Sequence, residues 1–223
     1  MKERPILFNG PMVRAILAGT KTQTRRVVKP QPPQGTQRAM YNVSHYAPDE
    51  GWFFVSMGGR ANYPYSQPGD RLWVRETWRD CGPTKCAVTG SLMVRYRADG
   101  AWSCGYEPQS RTPGGPWCPS IHMPRWASRI TLEVTDVRVE RVQDITEDDA
   151  RAEGVDLNGI GLSEQYTHTA VSRFEALWNS INAERGYPWF DVDLPDNLKT
   201  GEGRVMHGNP WVWVVEFRRL EAQ

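Results

Sequence analysis

Short strand-like segments are scattered along the whole chain, with few helical stretches between them. That spacing constrains the fold more than any other feature. The clearest segment runs from Arg129 to Val142: Ile130, Leu132 and Val134 alternate, then Val137 and Val139, with a slip at Thr135-Asp136 of the kind a bulge produces. Shorter strands are expected at Arg4 to Phe8, at Trp52 to Val55, from Arg71 to Trp78, and at Leu92 to Tyr96. The closing segment, Trp211 to Phe217, is apolar on both faces. Three helices are expected. One follows Asn9-Gly10-Pro11 and carries Met12, Ala15 and Ile16 on one face. Another opens at Thr146, with Asp149 placed to return the capping bond, and ends at Gly154. The third lies within Ser163 to Ala183, where Phe174, Leu177, Trp178 and Ile181 form a stripe. This order argues against a doubly wound parallel sheet. It favours an α+β domain around a curved sheet or small β-barrel with flanking helices.

The 223 residues suit one domain, 1–223, with long insertions at 31–67 and 81–123. With 39 % hydrophobic residues and 10 Trp there is material for a core. A net charge of +1 gives no support for a large polyanion-binding surface. Charge is nevertheless uneven: Lys2, Arg4, Arg14, Lys21, Arg25, Arg26 and Lys29 stand against Glu3 alone in the first thirty positions, and the balance reverses from Asp144 to Asp156. No apolar run is long enough to cross a bilayer and the start lacks a secretory signal, so an intracellular, cytoplasmic protein without a membrane partner is expected.

The densest chemistry lies in Gly19-Thr20-Lys21-Thr22-Gln23-Thr24-Arg25-Arg26. It combines hydroxyls, an amine able to carry a proton and fixed cations able to hold an anion. Gly19 suits the left-handed stop after a helix, and cations suit the negative end of the helix dipole. A basic turn therefore explains Lys21, but it does not explain the repeated threonines. Glu76 lies on a strand face shared with Leu72, Val74 and Trp78, so it is at a strand end, paired with a cation, or raised in pKa. Cys81, Cys86, Cys104 and Cys118, with His122, present a possible zinc set at an uncommon spacing; buried thiols are the plainer reading, and no cofactor is otherwise expected. Most tryptophans read as core, with Trp52 and Trp102 the better candidates for a stacking surface.

Three pieces in order resemble the ASCH family of the PUA-like superfamily, and the whole chain resembles its larger phage and prophage members. They are Gly19-x-Lys21-Thr22-x-Thr24-x-Arg26 after a short helix, Pro68-Gly69-Asp70 leading to Glu76, and the long strand followed by Asp144-Ile145-Thr146 and Gly154. Asn209-Pro210-Trp211-Val212-Trp213 adds to the likeness, whereas the two insertions lie outside it. The resemblance implies a small β-barrel with flanking helices and a cleft for RNA or a modified nucleoside. It also implies hydrolysis of the N4-acetyl amide of acetylcytidine by Lys21, Thr24 and Glu76.

In such chemistry Thr24 is the nucleophile, Lys21 its base and Glu76 the acid for the leaving nitrogen. Lys21 can accept a proton only as a neutral amine, which means bringing a pKa near 10.4 down to neutrality, about 4 kcal/mol. An ionised Glu76 nearby would oppose that, so either Glu76 is protonated or the two exchange a proton as a coupled pair. A second reading needs no such shift: Thr22, Arg25, Arg26 and Arg75 hold the substrate or the phosphates of RNA while an aromatic ring stacks a base. Cleavage of RNA in the same basic cleft is a third.

Overall fold

The computed structural model describes residues 1–32, 39–42, 51–54, 60–61, 67–85, 92–103, 115–155, 169–193, 205–206 and 208–221. The elements are, in order, β1 (Glu3–Leu7), α1 (Gly10–Leu17), β2 (Gln23–Val27), β3 (Ala39–Asn42), β4 (Gly51–Phe54), β5 (Arg60–Ala61), β6 (Arg71–Arg75), β7 (Trp78–Lys85), β8 (Leu92–Tyr96), β9 (Thr131–Arg141), α2 (Glu147–Ala152), α3 (Ala170–Asn182), β10 (Val192–Asp193), β11 (Val205–Met206) and β12 (Trp211–Leu220). The protein is thus a mixed α and β chain, with several sheets and few helices. The largest sheet has the strand order β1-β6-β9-β12-β2, and no closed barrel is formed among the described residues. Its contacts group into two compact units, Met1–Thr22 with Ser66–Thr135 and Phe217–Gln223, and Gln23–Tyr65 with Asp136–Glu216.

In the first unit β1 runs parallel to β6, from Glu3 opposite Arg71 to Leu7 opposite Arg75. The start of β9 pairs antiparallel with β6 through Leu132 and Leu72. Helix α1 begins where the Asn9 side chain accepts the Met12 N–H at 3.0 Å, and it buries Val13 and Ile16. It ends at Gly19, whose φ of 77° no β-carbon-bearing residue adopts cheaply. Strands β7 and β8 pair antiparallel. One face of this pair, with Trp78, Val94 and Tyr96, packs on Met123 and Ala127.

The single strand expected from Arg71 to Trp78 is two strands. The chain changes ladders between them. Arg75 still accepts the Phe8 N–H at 3.1 Å, whereas Thr77 already accepts the N–H of Arg97, beyond the end of β8, at 2.9 Å. Glu76 occupies the change-over, and its own N–H is directed at the Met123 Sδ, 3.5 Å away.

In the second unit β2 pairs antiparallel with β12, from Val27 opposite Val212 to Gln23 opposite Glu216. Trp211 to Val215 are all buried, as an all-apolar strand requires. The Thr146 capping box forms as expected, with the Asp149 N–H donating to Thr146 Oγ1 at 3.1 Å and the Asp149 carboxylate accepting from the Thr146 N–H at 3.4 Å. Glu147 then accepts the Ala170 and Val171 N–H groups at 2.9 and 3.2 Å, so α2 caps the start of α3. Phe174 and Trp178 enter a core with Val142, Ile145, Trp189, Val212 and Val214. The strand expected at Trp52 to Val55 is β4, which pairs antiparallel with β3 and β5, and β10 pairs antiparallel with β11. The part of the third expected helix before Thr169, and Val55, lie outside the described residues.

Candidate functional site

Six polar or charged residues are buried among the described residues: Lys21, Gln23, Thr24, Arg25, Glu76 and Glu153. Burying such groups is costly unless they are satisfied, so each needs a reason. Lys21, Thr24 and Glu76 are the three expected to carry chemistry.

Lys21 and Glu76 belong to the first unit. The Lys21 N–H donates to Ala15 O at 3.1 Å, which closes the end of α1. Its ammonium lies 5.7 Å from the centre of the Phe8 ring, which in turn packs against Phe217. Glu76 is 2 % exposed and has a cation partner that sequence reasoning did not supply. Arg129 donates to both of its oxygens, Nε to Oε1 at 2.9 Å and Nη2 to Oε2 at 3.0 Å. Arg129 also holds Asp99, at 2.8 and 3.1 Å, and stacks on Tyr96 at 4.0 Å from the ring centre. Tyr96 completes the cluster by donating its hydroxyl to Ala127 O at 2.9 Å. Burial pushes the Glu76 carboxyl above its ordinary 4.5, and the bonds and charge of Arg129 oppose this without cancelling it. Burial likewise raises the Tyr96 hydroxyl.

Thr24 and Arg25 belong to the second unit. Thr24 is buried in β2 opposite Val215 on β12. Arg25, expected at a substrate, is instead a structural cation with no side-chain exposure. Its guanidinium donates to Glu140 at 2.6 and 3.0 Å and to Glu153 at 3.3 Å, and lies 3.4 Å from Asp149. Phe174 closes it off, 5.8 Å away. Arg138 joins the same carboxylates, reaching Glu140 and Asp149 at 3.0 Å each, and bonds Glu216. Gln23 donates to the Asp149 backbone and carboxylate at 2.7 and 2.9 Å. Gln23, Arg25 and Glu153 are thereby accounted for by one network. The acidic run that opens α2 does more than cap, because Asp149 belongs to this network.

Of the other expected binding residues, Thr22 is exposed and Arg26 half-buried. Arg75 stacks on Trp73 at 4.7 Å and donates to Ile121 O at 3.1 Å. Of the possible zinc set, Cys118 is a free, half-buried thiol; Cys86, Cys104 and the Cys81 side chain lie outside the described residues. The described residues contain no cluster of metal-ligating side chains. No described helix is long and apolar enough to cross a membrane.

Asp149 gives a direct test of the second network. Burial alone would raise its pKa, but hydrogen bonds from Gln23 and Thr146 and the charge of Arg25 outweigh this and hold it at about 2, against an ordinary 3.8. A lowered carboxylate stabilises the fold above pH 3.8, and that contribution is lost as the pH falls towards 2. Asp149→Asn is therefore expected to lose about 1–2 kcal/mol at pH 7, after allowance for solvent screening, and about a third of that at pH 2.5, which is still just above the folded value. Urea denaturation at the two pH values checks it; an equal loss at both would remove the electrostatic account.

Comparison with known protein families, with curated proteins and with solved structures gave no match for this chain.

Proposed function

We propose that this chain is an ASCH-type protein of PUA-like fold that binds RNA or a nucleoside, and that Lys21, Thr24 and Glu76 hydrolyse the N4-acetyl amide of acetylcytidine. One observation carries this reading. The three residues expected to carry the chemistry are all among the six polar or charged side chains buried among the described residues. Buried ionisable groups such as Lys21 and Glu76 are candidates for catalysis.

The chemistry would proceed by attack of Thr24 Oγ1 on the acetyl carbonyl as the Lys21 amine takes the hydroxyl proton. The carbon–nitrogen bond then breaks, the exocyclic nitrogen takes up a proton, and cytidine leaves. Water hydrolyses the acetyl-threonine ester to acetate and restores Thr24. Glu76 suits the role of proton donor only when Arg129 releases one of its oxygens, and burial favours the protonated form once that happens. Lys21 is 2 % exposed, with its amine 5.7 Å from the centre of the Phe8 ring.

Incubation with N4-acetylcytidine, followed by chromatography for cytidine and acetate, tests the proposal. Wild type is expected to turn over, and Thr24→Ala and Lys21→Ala to lose at least about a thousandfold in rate. Absence of turnover by wild type, or undiminished rates in both variants, would overturn the hydrolytic reading.

A further inference from the structure

The β7–β8 pair has a second face, opposite the one that packs on Met123. Antiparallel pairing sets Arg79 directly across from Arg95, and a bridge sets Arg95 across from Trp102. On the other side Trp78 bridges Cys118, so the same antiparallel register brings Trp117 opposite Arg79. One transverse row therefore reads Trp117, Arg79, Arg95, Trp102. Strand spacing makes it about 14 Å wide. Arg97, two residues beyond Arg95, shares this face by alternation and is exposed.

The side chains follow the row. Arg79 lies over the Trp117 ring at 4.7 Å, Arg97 over the same ring at 6.0 Å, and Arg95 over Trp102 at 5.2 Å. Like charges directly opposite one another destabilise a strand pair. Here they are stacked on indoles without a described carboxylate to neutralise them. Asp80 follows Arg79 in the chain but alternates to the other face, and Asp99 is taken by Arg129. The Arg79 Nε is buried and has no hydrogen-bond partner among the described residues. A row of cations with planar groups at both ends matches a ligand of repeating negative charge and flat rings.

We infer that this face binds single-stranded RNA, its arginines holding phosphates and its indoles and guanidinium planes stacking bases. The inference rests on the RNA-binding part of the proposed function and adds where the strand lies. It places the strand outside the Lys21 motif, on residues that except for Arg79 lie in the 81–123 insertion, and it assigns Trp102 a role that its place in the chain had suggested.

The test is fluorescence anisotropy with a labelled single-stranded RNA of about ten nucleotides, over a series of salt concentrations. Wild type is expected to bind with strong salt dependence. Replacing Arg79, Arg95 and Arg97 together by glutamine should weaken binding at least about tenfold and flatten the slope of log affinity against log salt by about 2. Trp117→Ala should cost about fivefold or more. Arg97→Glu, at an exposed position that does not threaten folding, should cost at least about threefold. The inference is overturned if wild type does not retain the RNA at low salt, or if Arg97→Glu and the triple variant bind as wild type does. Turnover of free acetylcytidine with no RNA retention would remove this surface and leave the hydrolytic reading standing. Retention that depends on the row, with no turnover, would do the reverse.

Discussion

Arg25→Met is expected to destabilise the protein by about 3–5 kcal/mol at neutral pH, a large share of the 5–15 kcal/mol that holds a typical domain folded. The side chain is wholly enclosed and shared by Glu140, Asp149 and Glu153, of which Glu153 is 3 % exposed. Removing the cation leaves its carboxylates close together, with Arg138 to serve Glu140 and Asp149. The loss comes from that imbalance rather than from the net worth of the network, since replacing a whole buried ion cluster by apolar groups is often neutral. Two further variants separate these terms. Arg25→Lys keeps the charge but cannot form the planar fork, so an intermediate loss is expected. Adding Glu153→Gln to Arg25→Met should recover part of the stability. The deficit of Arg25→Met should also shrink below about pH 4, where the carboxylates take up protons. Urea denaturation curves measure all of these. A loss under about 1 kcal/mol would mean that solvent screens the cluster despite its burial.

Arg25 also shows where a sequence stops being informative. In the chain it belongs to a basic stretch and reads as a cation offered to a ligand. Its partners Glu140 and Glu153 lie 115 and 128 positions away, and nothing local signals them. Features fixed by neighbours were legible: Asn9 and Gly19 bound α1, Thr146 and Asp149 form their box, and the limits of β8 match the expected segment residue for residue. Glu76 was legible as a carboxylate among apolar residues, but its partner was not. Arg129 precedes a run of alternating apolar residues and carries no pattern of its own; only the change of ladders after Arg75 brings it to Glu76. The Arg–Trp row is an intermediate case. Alternation puts Arg95 of β8 and Arg97 just beyond it on one face, but Arg79 and Trp117 join them only through strand pairing.

Arg129→Leu is expected to cost about 3–5 kcal/mol at pH 7.5, and much less at pH 5. In the wild-type fold burial already holds the Glu76 pKa above 4.5, with Arg129 pulling against it. A raised carboxyl binds its proton more tightly folded than unfolded. Its contribution is most favourable below 4.5 and declines as the pH rises through the folded value. Without Arg129 the folded value climbs further, so the decline continues to higher pH and the deficit is deepest near neutrality. Glu76→Gln in the Arg129→Leu background removes the charge and should restore most of the stability at pH 7.5. The share that stays lost reports the stacking of Arg129 on Tyr96 and its bonds to Asp99. Equal losses at both pH values, or no recovery with glutamine, would show that Arg129 acts through packing alone. The same variant bears on catalysis with the opposite sign. If Glu76 donates the proton to the leaving nitrogen, freeing it from Arg129 keeps it protonated to higher pH, so the alkaline limb of the acetylcytidine pH–rate profile moves upward while the fold weakens. An unmoved limb in a folded Arg129→Leu protein would leave Glu76 as part of the frame and take the acid role away from it.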